Sequence, residues 1–254
     1  MTDSSASGHP VTLSIDIGGS GLKASALDPN GRMIVDRVRR ETTYPVTPHQ
    51  MVDQLAELVT PLPAYDRVSV GFPGMVRGGL LLTAPKFDTD GGPGTPVDPE
   101  LRKAWDRFDL RSALEEKLGK PARVVNDADM QGLAVVDGQG LEFVVTLGSG
   151  VGTALFLGGH LCPHLELSHH PFRKGETYDE QLGDVTRHTI GNERWNTRVG
   201  KAIENFRKLL FYDHLYVGGG NAQRVKIDLG PNATIVDNTA GILGGIRLWD
   251  GPVV

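Results

Sequence analysis

Cysteine is nearly absent from this sequence, since Cys162 is the only one among 254 residues and no disulfide can form within the chain. A chain of this size without disulfides is typical of a reducing compartment. No apolar run approaches the roughly 20 residues that a membrane-spanning helix needs. The first ten residues, MTDSSASGHP, do not resemble a secretory signal, because no basic stretch precedes an apolar core. These absences predict a cytoplasmic protein without a membrane partner.

An excess of positive charge is also absent, since 26 Lys and Arg residues face 31 Asp and Glu residues and the net charge is −5. This balance argues against a nucleic-acid partner, which usually requires a basic surface. The charge is uneven along the chain. Residues 1–159 contain 15 basic and 20 acidic side chains, whereas residues 160–254 contain 11 of each. We therefore expect any surface that binds a polyanion in the second half.

Glycine is abundant, and many of the 33 glycines are clustered. Glycine is needed where the backbone adopts a positive φ or where a ligand approaches the backbone closely. Several clusters in one compact chain predict several loops that converge on one ligand. The four clusters are GGSG at 18–21, GFPG at 71–74, GSGVG at 148–152 and GGG at 218–220.

The first half of the chain has the pattern of a small α/β domain. Three strands, a helix and a buried strand are predicted at 11–17, 22–27, 32–38, 48–59 and 67–72. Residues 84–99 are rich in Pro, Gly and Asp, which predicts a long loop that is either a domain boundary or a lid. A helix is predicted after this loop, at 99–118.

The second half repeats this order with variations. The predicted elements are a strand at 122–126, a helix at 127–136, two strands around GSGVG, helices within 176–210, a strand at 213–218 and a closing helix at 239–249. The repetition predicts two related α/β domains, residues 1–121 and 122–254, with the closing helix able to return to the first.

Two glycine turns are candidate phosphate sites. In DIGGSGLK at 16–23, turn amides can donate to phosphate oxygens, and Asp16 can hold Mg²⁺ directly or through water. A plain hairpin explains GGSG alone equally well, and Lys23 then simply lies on the second strand. The turn is neither a Rossmann fingerprint nor a Walker A loop. The same pattern recurs in TLGSGVGTALF at 146–156, where Thr146 and Ser149 can donate hydroxyl hydrogen bonds. Two such turns, one in each half, could bind a phosphate chain from both sides.

Two further segments carry candidate acid–base and sugar-binding groups. In VVNDADMQG at 124–132, Asp127 is either a helix cap or a general base that faces a cleft, and Asp129 is the weaker candidate. In HLELSHHPFRKG at 164–175, a carboxylate and an imidazole at Glu166 and His169 could address the hydroxyl groups of one sugar. A zinc site is less favoured, because structural zinc usually recruits several cysteines.

Taken in order, DIGGSGLK, GFPG, LTAP, NDAD, TLGSGVGTALF, ELSH and VGGG resemble the ROK family of the actin-like sugar kinase superfamily. Within it, the short chain, NDAD and HHPFRKG are most similar to the polyphosphate glucokinases. The resemblance implies an actin-like, hexokinase-type fold of two α/β domains around a cleft. It also implies transfer of a phosphoryl group from polyphosphate or ATP, with Mg²⁺, to the 6-hydroxyl of glucose or a related hexose, by a homodimer.

The resemblance also implies roles by position, with Asp127 as the general base. The implied sugar-binding residues are Gly74, Thr83, Asn126, Asp127, Glu166, His169 and, as a guess, Glu180. The implied phosphate- or nucleotide-binding residues are Asp16, Gly18, Gly19, Ser20, Gly21, Lys23, Thr146, Gly148, Ser149, Gly150, Gly152, Gly218, Gly219 and Gly220.

Three departures from the family pattern limit these expectations. Ser168 replaces the glycine of E-x-G-H, and Lys86 stands where a sugar-contacting Asn is usual. The cysteine-rich zinc segment is replaced by PFRKGETYDEQ, so we expect no structural zinc. The alternatives are a ROK-type sugar sensor or regulator, a kinase for mannose or N-acetylglucosamine, and an ATPase module. Only fifteen residues precede Asp16, too few for the DNA-binding module of a ROK repressor.

Overall fold

The computed structural model describes residues 10–236 and 243–251, which form two five-stranded mixed sheets with helices packed against them. The strands of the first half are β1 Thr12–Ile17, β2 Gly21–Leu27, β3 Val38–Glu41, β4 Arg67–Phe72, β5 Val76–Arg77, β6 Leu80–Leu81 and β7 Ala122–Asn126. Its helices are α1 Pro48–Val59, α2 Pro99–Trp105 and α3 Leu110–Leu118.

The second half begins with α4 Asp127–Leu133 and contains the second sheet. Its strands are β8 Leu141–Leu147, β9 Val151–Leu157, β10 His160–Leu161, β11 Pro171–Arg173, β12 Glu176–Thr177, β13 His214–Gly218 and β14 Ala233–Ile235. Its further helices are α5 Tyr178–Leu182, α6 Asp184–Ile190 and α7 Asn192–Leu210, with 3₁₀ helices at Leu167–His169, Ala222–Arg224 and Arg247–Trp249.

The two sheets have matching topologies. The strand orders are β3-β2-β1-β4-β7 and β10-β9-β8-β13-β14. In each sheet a hairpin, β1–β2 or β8–β9, is followed by a strand that joins parallel to the first strand of the hairpin. The glycine turns of both hairpins therefore occupy equivalent positions in the two halves. The predicted fold class, two related α/β halves, is confirmed.

Helix α4 lies at the junction of the two halves and has a small core of its own. Val125 and Met130 pack in this core with Val144 and Phe156 of the second sheet. Larger cores surround Phe72 and Trp105 in the first half, and Phe143, Trp195 and Phe206 in the second. The N-terminus of α4, which carries Asp127, is thus fixed by apolar packing between the sheets.

The last described segment, residues 243–251, packs against the first sheet. Ser69 of β4 donates to the Gly245 carbonyl at 2.6 Å and accepts from the Trp249 indole nitrogen at 2.8 Å. The guanidinium groups of Arg67 and Arg123 lie 5.0 and 4.5 Å from the centre of the Trp249 ring. We propose on these contacts that domains 1–121 and 122–254 share this closing segment. Residues 239–242 of the predicted closing helix lie outside the described residues. In its described part, residues 244–246 form a turn and Arg247–Trp249 a 3₁₀ helix, so the predicted helix does not continue to 249.

Three further predicted elements differ from those observed. The third strand is Val38–Glu41 rather than 32–38, and Met33 forms only an isolated bridge to Leu27. The apolar residues at 32–38 led to the wrong position for this strand. The observed strand, β3, lies at the edge of the sheet and is partly exposed, so its pairing does not need apolar residues. The predicted helix at 99–118 is two helices, because Arg107 adopts φ 56° and Asp109 caps α3 by accepting from Ser112.

The helix predicted at 127–136 ends at Leu133. Its last turn closes early, since the backbone amides of Val135 and Val136 both donate to the Gly132 carbonyl, at 2.9 and 3.1 Å. The other predicted strands and the helices within 176–210 lie where they were expected to within a residue or two. No helix in the described part of the chain is long and apolar enough to cross a membrane.

Candidate active site

The first glycine turn, Gly18–Gly21, closes the β1–β2 hairpin. Its two ends exchange backbone hydrogen bonds of 3.0 and 3.3 Å. The hydroxyl groups of Thr42 and Tyr44 donate to the carbonyls of Gly18 and Gly19, each at 2.7 Å. The backbone N–H groups of Gly19 and Ser20 donate to nothing among the described residues. This turn can therefore present two amides to a phosphate oxygen.

The second turn, Gly148–Gly152, is held by side chains from neighbouring elements. The amide of Val151 donates to the Asp179 carboxylate at 2.6 Å, and that of Gly152 donates to the Thr146 hydroxyl at 3.2 Å. A side chain at Gly150 would collide with Asp179. Thr146 and Asp179 thus keep the turn compact, and the hydroxyl hydrogen of Thr146 stays available to a ligand.

The GGG loop, residues 218–220, forms one unit with the second turn. Gly219 adopts φ 86° and lies so close to the Leu147 backbone that a Cβ there would collide with it. The Asn221 side-chain amide donates to the Gly148 carbonyl at 3.2 Å and to Asp184 at 2.9 Å. Sequence reasoning missed Asn221 and Asp184, because neither belongs to a glycine cluster.

Asp127 is the first residue of α4, and the cap of this helix is Asn126. The Asn126 side-chain oxygen accepts from the Ala128 amide at 2.7 Å, and an Asp127 oxygen accepts from the same amide at 2.9 Å. The next residue, Ala128, lies beside the second turn, since a Cβ on Gly152 would lie 2.9 Å from the Cβ of Ala128. Helix capping, the alternative role for Asp127, is thus largely performed by Asn126.

The pKa of Asp127 is raised to about 6, mainly by burial. The charges of Asp16 and Glu166 raise it further, whereas the ammonium group of Lys86 lowers it. The carboxylates of Asp16 and Glu166 and the ammonium group of Lys86 therefore all act on the charge of Asp127. A carboxylate with this pKa is ionised at neutral pH and is still basic enough to accept a proton.

Asp16 and Lys23 are paired across the first hairpin. They occupy opposed register positions in β1 and β2, and Lys23 Nζ lies 2.8 Å from Asp16 Oδ2. The Lys23 ammonium is therefore engaged by Asp16. The second carboxylate oxygen of Asp16 is a hard ligand of the kind that Mg²⁺ accepts together with water and phosphate oxygens, so this residue fits the predicted magnesium role.

Lys86 lies between the first turn and the carboxylates. A Cβ on Gly19 would lie 3.0 Å from Lys86 Cδ and 2.9 Å from Pro93 Cγ, so the loop 84–99 packs directly on the turn. Among the described residues, no carboxylate lies within ion-pair distance of Lys86, although its charge acts on Asp127 and Glu166. The segment predicted as a domain boundary or a lid thus places a cation next to the first turn, where its charge acts on Asp127 and Glu166.

Gly74, Thr83 and Asn126 meet at a junction beside Asp127. A side chain at Gly74 would collide with the Thr83 carbonyl, and the Thr83 hydroxyl accepts from the Met75 amide at 2.9 Å. The side-chain nitrogen of Asn126 donates to the Gly74 carbonyl at 3.0 Å. Most polar atoms of this group hold the backbone in place, so direct contact with a sugar stays a prediction for them.

Glu166 precedes a short 3₁₀ helix, Leu167–His169, which ends at His169, and the charge of His169 acts on Glu166. Glu166 is 21% exposed, and its carboxylate lies 3.6 Å from Nε2 of His164. Burial alone would raise the pKa of Glu166, but the neighbouring His164 outweighs this effect and lowers it. His169 is exposed. Sequence reasoning missed a role for His164, because its two carboxylate partners are not recognisable from spacing.

Glu180, the guessed additional sugar ligand, is exposed on α5. Its carboxylate accepts from the backbone amide and the hydroxyl of Thr177, at 2.8 and 2.9 Å, in a capping box. A sugar contact would compete with this cap. In the described part of the chain, no three His, Cys, Asp or Glu side chains form a group that could hold a metal, and the absence of structural zinc stays a prediction.

A model of the ROK family matches residues 12–164. The polyphosphate glucokinase of Mycobacterium tuberculosis is 28% identical over 246 residues, covering 91% of this chain and 88% of that protein. The N-acetylmannosamine kinase of Escherichia coli is 32% identical over 158 residues, covering 59% of this chain and 49% of that protein. The solved structure of inorganic polyphosphate/ATP-glucomannokinase from Arthrobacter sp. strain KM matches with a TM-score of 0.78 at 27% identity, covering 94% and 97% of the two chains.

Proposed function

The chain belongs to the ROK family, and we propose that it is a sugar kinase that transfers a phosphoryl group from polyphosphate or ATP to the 6-hydroxyl of glucose. One observation carries the proposal, and it is the setting of Asp127. The pKa of Asp127 is raised to about 6, and the charges of Asp16, which precedes the first glycine turn, and of Lys86 act on it. Its neighbour Ala128 lies beside Gly152 of the second turn. A general base near groups that can bind the phosphates of a donor suits phosphoryl transfer to an alcohol.

In the proposed reaction, Asp127 accepts the proton of the sugar hydroxyl group, and the hydroxyl oxygen attacks the terminal phosphorus of the donor. The bond from that phosphorus to the bridging oxygen breaks, and the shortened donor leaves with the electron pair. The free amides of Gly19 and Ser20 donate to phosphate oxygens, and Lys86 balances negative charge between the phosphate and the carboxylates. Bound Mg²⁺, held by Asp16 directly or through water, would neutralise further charge on the donor.

The relatives support glucose as the acceptor, since both polyphosphate-using relatives are named for enzymes that act on glucose or on glucose and mannose. The similarity to an N-acetylmannosamine kinase, which covers only half of that protein, favours testing N-acetylated hexoses as well. In the proposed site, Glu166 and His169 bind ring hydroxyl groups and Gly74, Thr83 and Asn126 shape the pocket.

Polyphosphate as a donor is supported by a basic group near the second turn. Arg198 lies on α7, and its guanidinium is 3.5 Å from the Gln181 carbonyl of α5, the helix whose Asp179 holds the second turn. Burial lowers the pKa of Arg198, and the positive charges of Arg173 and Arg194 lower it further. Arg173, Arg194 and Arg198 thus form a basic group next to α5, and such a group suits a donor longer than ATP.

The proposal is tested by measuring sugar phosphate formation by the purified protein. Glucose, mannose, N-acetylglucosamine and N-acetylmannosamine are each offered with ATP–Mg²⁺ and with polyphosphate–Mg²⁺. We expect the highest kcat/KM for glucose and turnover with polyphosphate. No transfer with any pair, together with measurable sugar binding, would instead favour the sugar sensor. The proposed homodimer is tested separately by light scattering.

A further inference from the structure

A buried histidine joins the base-bearing helix to the proposed sugar-binding carboxylate. The His164 side chain is only 3% exposed, and its Nδ1 lies 2.9 Å from the carboxylate of Asp129, which is 2% exposed. Its Nε2 has no hydrogen-bond partner among the described residues and lies 3.6 Å from Glu166 Oε1. Asp129, His164 and Glu166 thus form a chain of contacts. It begins at two buried side chains and ends at Glu166, the one side chain of the three that is partly exposed.

Electrostatics favour the charged imidazolium in this chain of contacts. Burial alone would lower the pKa of His164, but the carboxylates of Asp129 and Glu166 together raise it to about 10. Both ring nitrogens then carry hydrogen at neutral pH, so Nε2 has a hydrogen to offer Glu166. A buried donor without a partner is costly, and a small movement of Glu166 would satisfy it.

The anchors of His164 are rigid on both sides. Asp129 belongs to the first turn of α4, two residues after Asp127, and this helix is packed between the sheets. The His164 backbone carbonyl accepts from the guanidinium of Arg77, on β5 of the first half, at 3.2 Å. His164 therefore links Glu166 to the helix that carries Asp127, although 38 residues lie between Asp127 and Glu166 in the chain.

We propose that His164, held by Asp129, is a positioning residue for Glu166: its Nε2 holds one carboxylate oxygen, so that the other accepts a hydrogen bond from a hydroxyl of the acceptor sugar. This inference rests on the proposed function, because it takes the ligand of Glu166 to be the sugar. It assigns His164 no proton transfer. The mechanism of His164 is to fix the orientation and charge of Glu166.

Two substitutions of His164 separate its contacts. In His164→Asn, the amide nitrogen occupies the place of Nδ1, so the bond to Asp129 is kept and the contact with Glu166 is lost. In His164→Gln, the amide nitrogen reaches the place of Nε2, so a donor to Glu166 is restored. We expect His164→Asn to raise the sugar KM by about tenfold to a hundredfold, the usual effect of losing a charged hydrogen bond, with an unchanged donor KM. His164→Gln should recover a large part of this loss.

A double-mutant cycle shows whether the effect passes through Glu166. In a Glu166→Gln background, His164→Asn should raise the sugar KM no further. An unchanged sugar KM in folded His164→Asn, or an equal rise in the Glu166→Gln background, would overturn the inference. A parent protein that phosphorylates no hexose would refute the proposed function instead, so the two failures are distinguishable.

A measurement on the unaltered protein covers the case in which the variants do not fold. In nitrogen-15 spectra of protein labelled in its imidazole rings, we expect one histidine, His164, to stay protonated at pH 9, because its pKa is raised to about 10. Saturation with glucose should shift its Nε2 resonance. The absence of such a histidine, or a resonance that glucose leaves unmoved, would also overturn the inference.

Discussion

Replacement of Asp127 by Asn should abolish phosphoryl transfer and at the same time stabilise the folded protein. Asn keeps the size of the side chain but cannot accept the proton of the sugar hydroxyl. Loss of a general base usually lowers the rate by roughly 10²–10⁴-fold. Sugar binding should stay measurable by calorimetry, because Glu166 and His169 are unaltered. Turnover near the wild-type rate would show that Asp127 is only part of the helix terminus.

The stabilisation follows from the raised pKa of Asp127. This carboxyl group ionises near 3.8 in the unfolded chain and near 6 in the folded protein. The folded protein therefore favours the protonated form of Asp127. Below pH 3.8 the protonated carboxyl group does not lower the free energy of unfolding, and this free energy falls as the pH rises through 6. The difference of about two pKa units corresponds to about 3 kcal/mol at pH 7.5. Asn is neutral at every pH and removes this cost.

Urea unfolding of wild type and Asp127→Asn between pH 4 and pH 8 measures the effect. The variant should be more stable by up to about 3 kcal/mol at pH 7.5, and the gain should shrink toward zero near pH 4. Glu100→Gln is the matched control, since Glu100 is also an acidic residue in the first turn of a helix but is exposed. It should lose a few tenths of a kcal/mol. Equal stability of Asp127→Asn and wild type at pH 7.5 would show that burial of the Asp127 charge carries no cost.

Further outcomes follow from the same geometry. The kcat/KM for sugar should fall on the acid side with an apparent pKa of about 6, that of the proposed base. Lys86→Met should lower kcat and move this acid limb to higher pH, because the Lys86 charge lowers the pKa of the base; an unmoved limb would place Lys86 outside the site. His169→Ala should raise the sugar KM and lower kcat, and an unchanged KM would remove it from the sugar pocket. Arg194→Glu with Arg198→Glu should raise the polyphosphate KM at least tenfold more than the ATP KM at low salt, with a smaller contrast at high salt. The control Lys201→Glu, on the same helix, should leave both values unchanged, and equal effects of the arginine pair on both donors would contradict a polyphosphate path.

Local sequence patterns predicted much of the fold. The helix at Pro48–Val59 and the strands at Arg67–Phe72 and Ala122–Asn126 have the predicted bounds, because their buried faces produce clear periodicity. The third strand was misplaced because pairing at a sheet edge depends on register with β2 rather than on apolar residues. The split between α2 and α3 depends on one residue with positive φ, Arg107, which no periodicity shows.

Patterns of neighbouring residues were enough to predict the repeated α/β halves, the two glycine turns and the candidacy of Asp127, because each of these depends on residues that are close in the chain. Tertiary structure alone decided which charges surround Asp127. Lys86 reaches the cleft because its loop packs on Gly19, and His164 meets Asp129 across 35 positions of the chain. Burial and the distance between charges determine a pKa, and neither is visible until folding brings distant segments together.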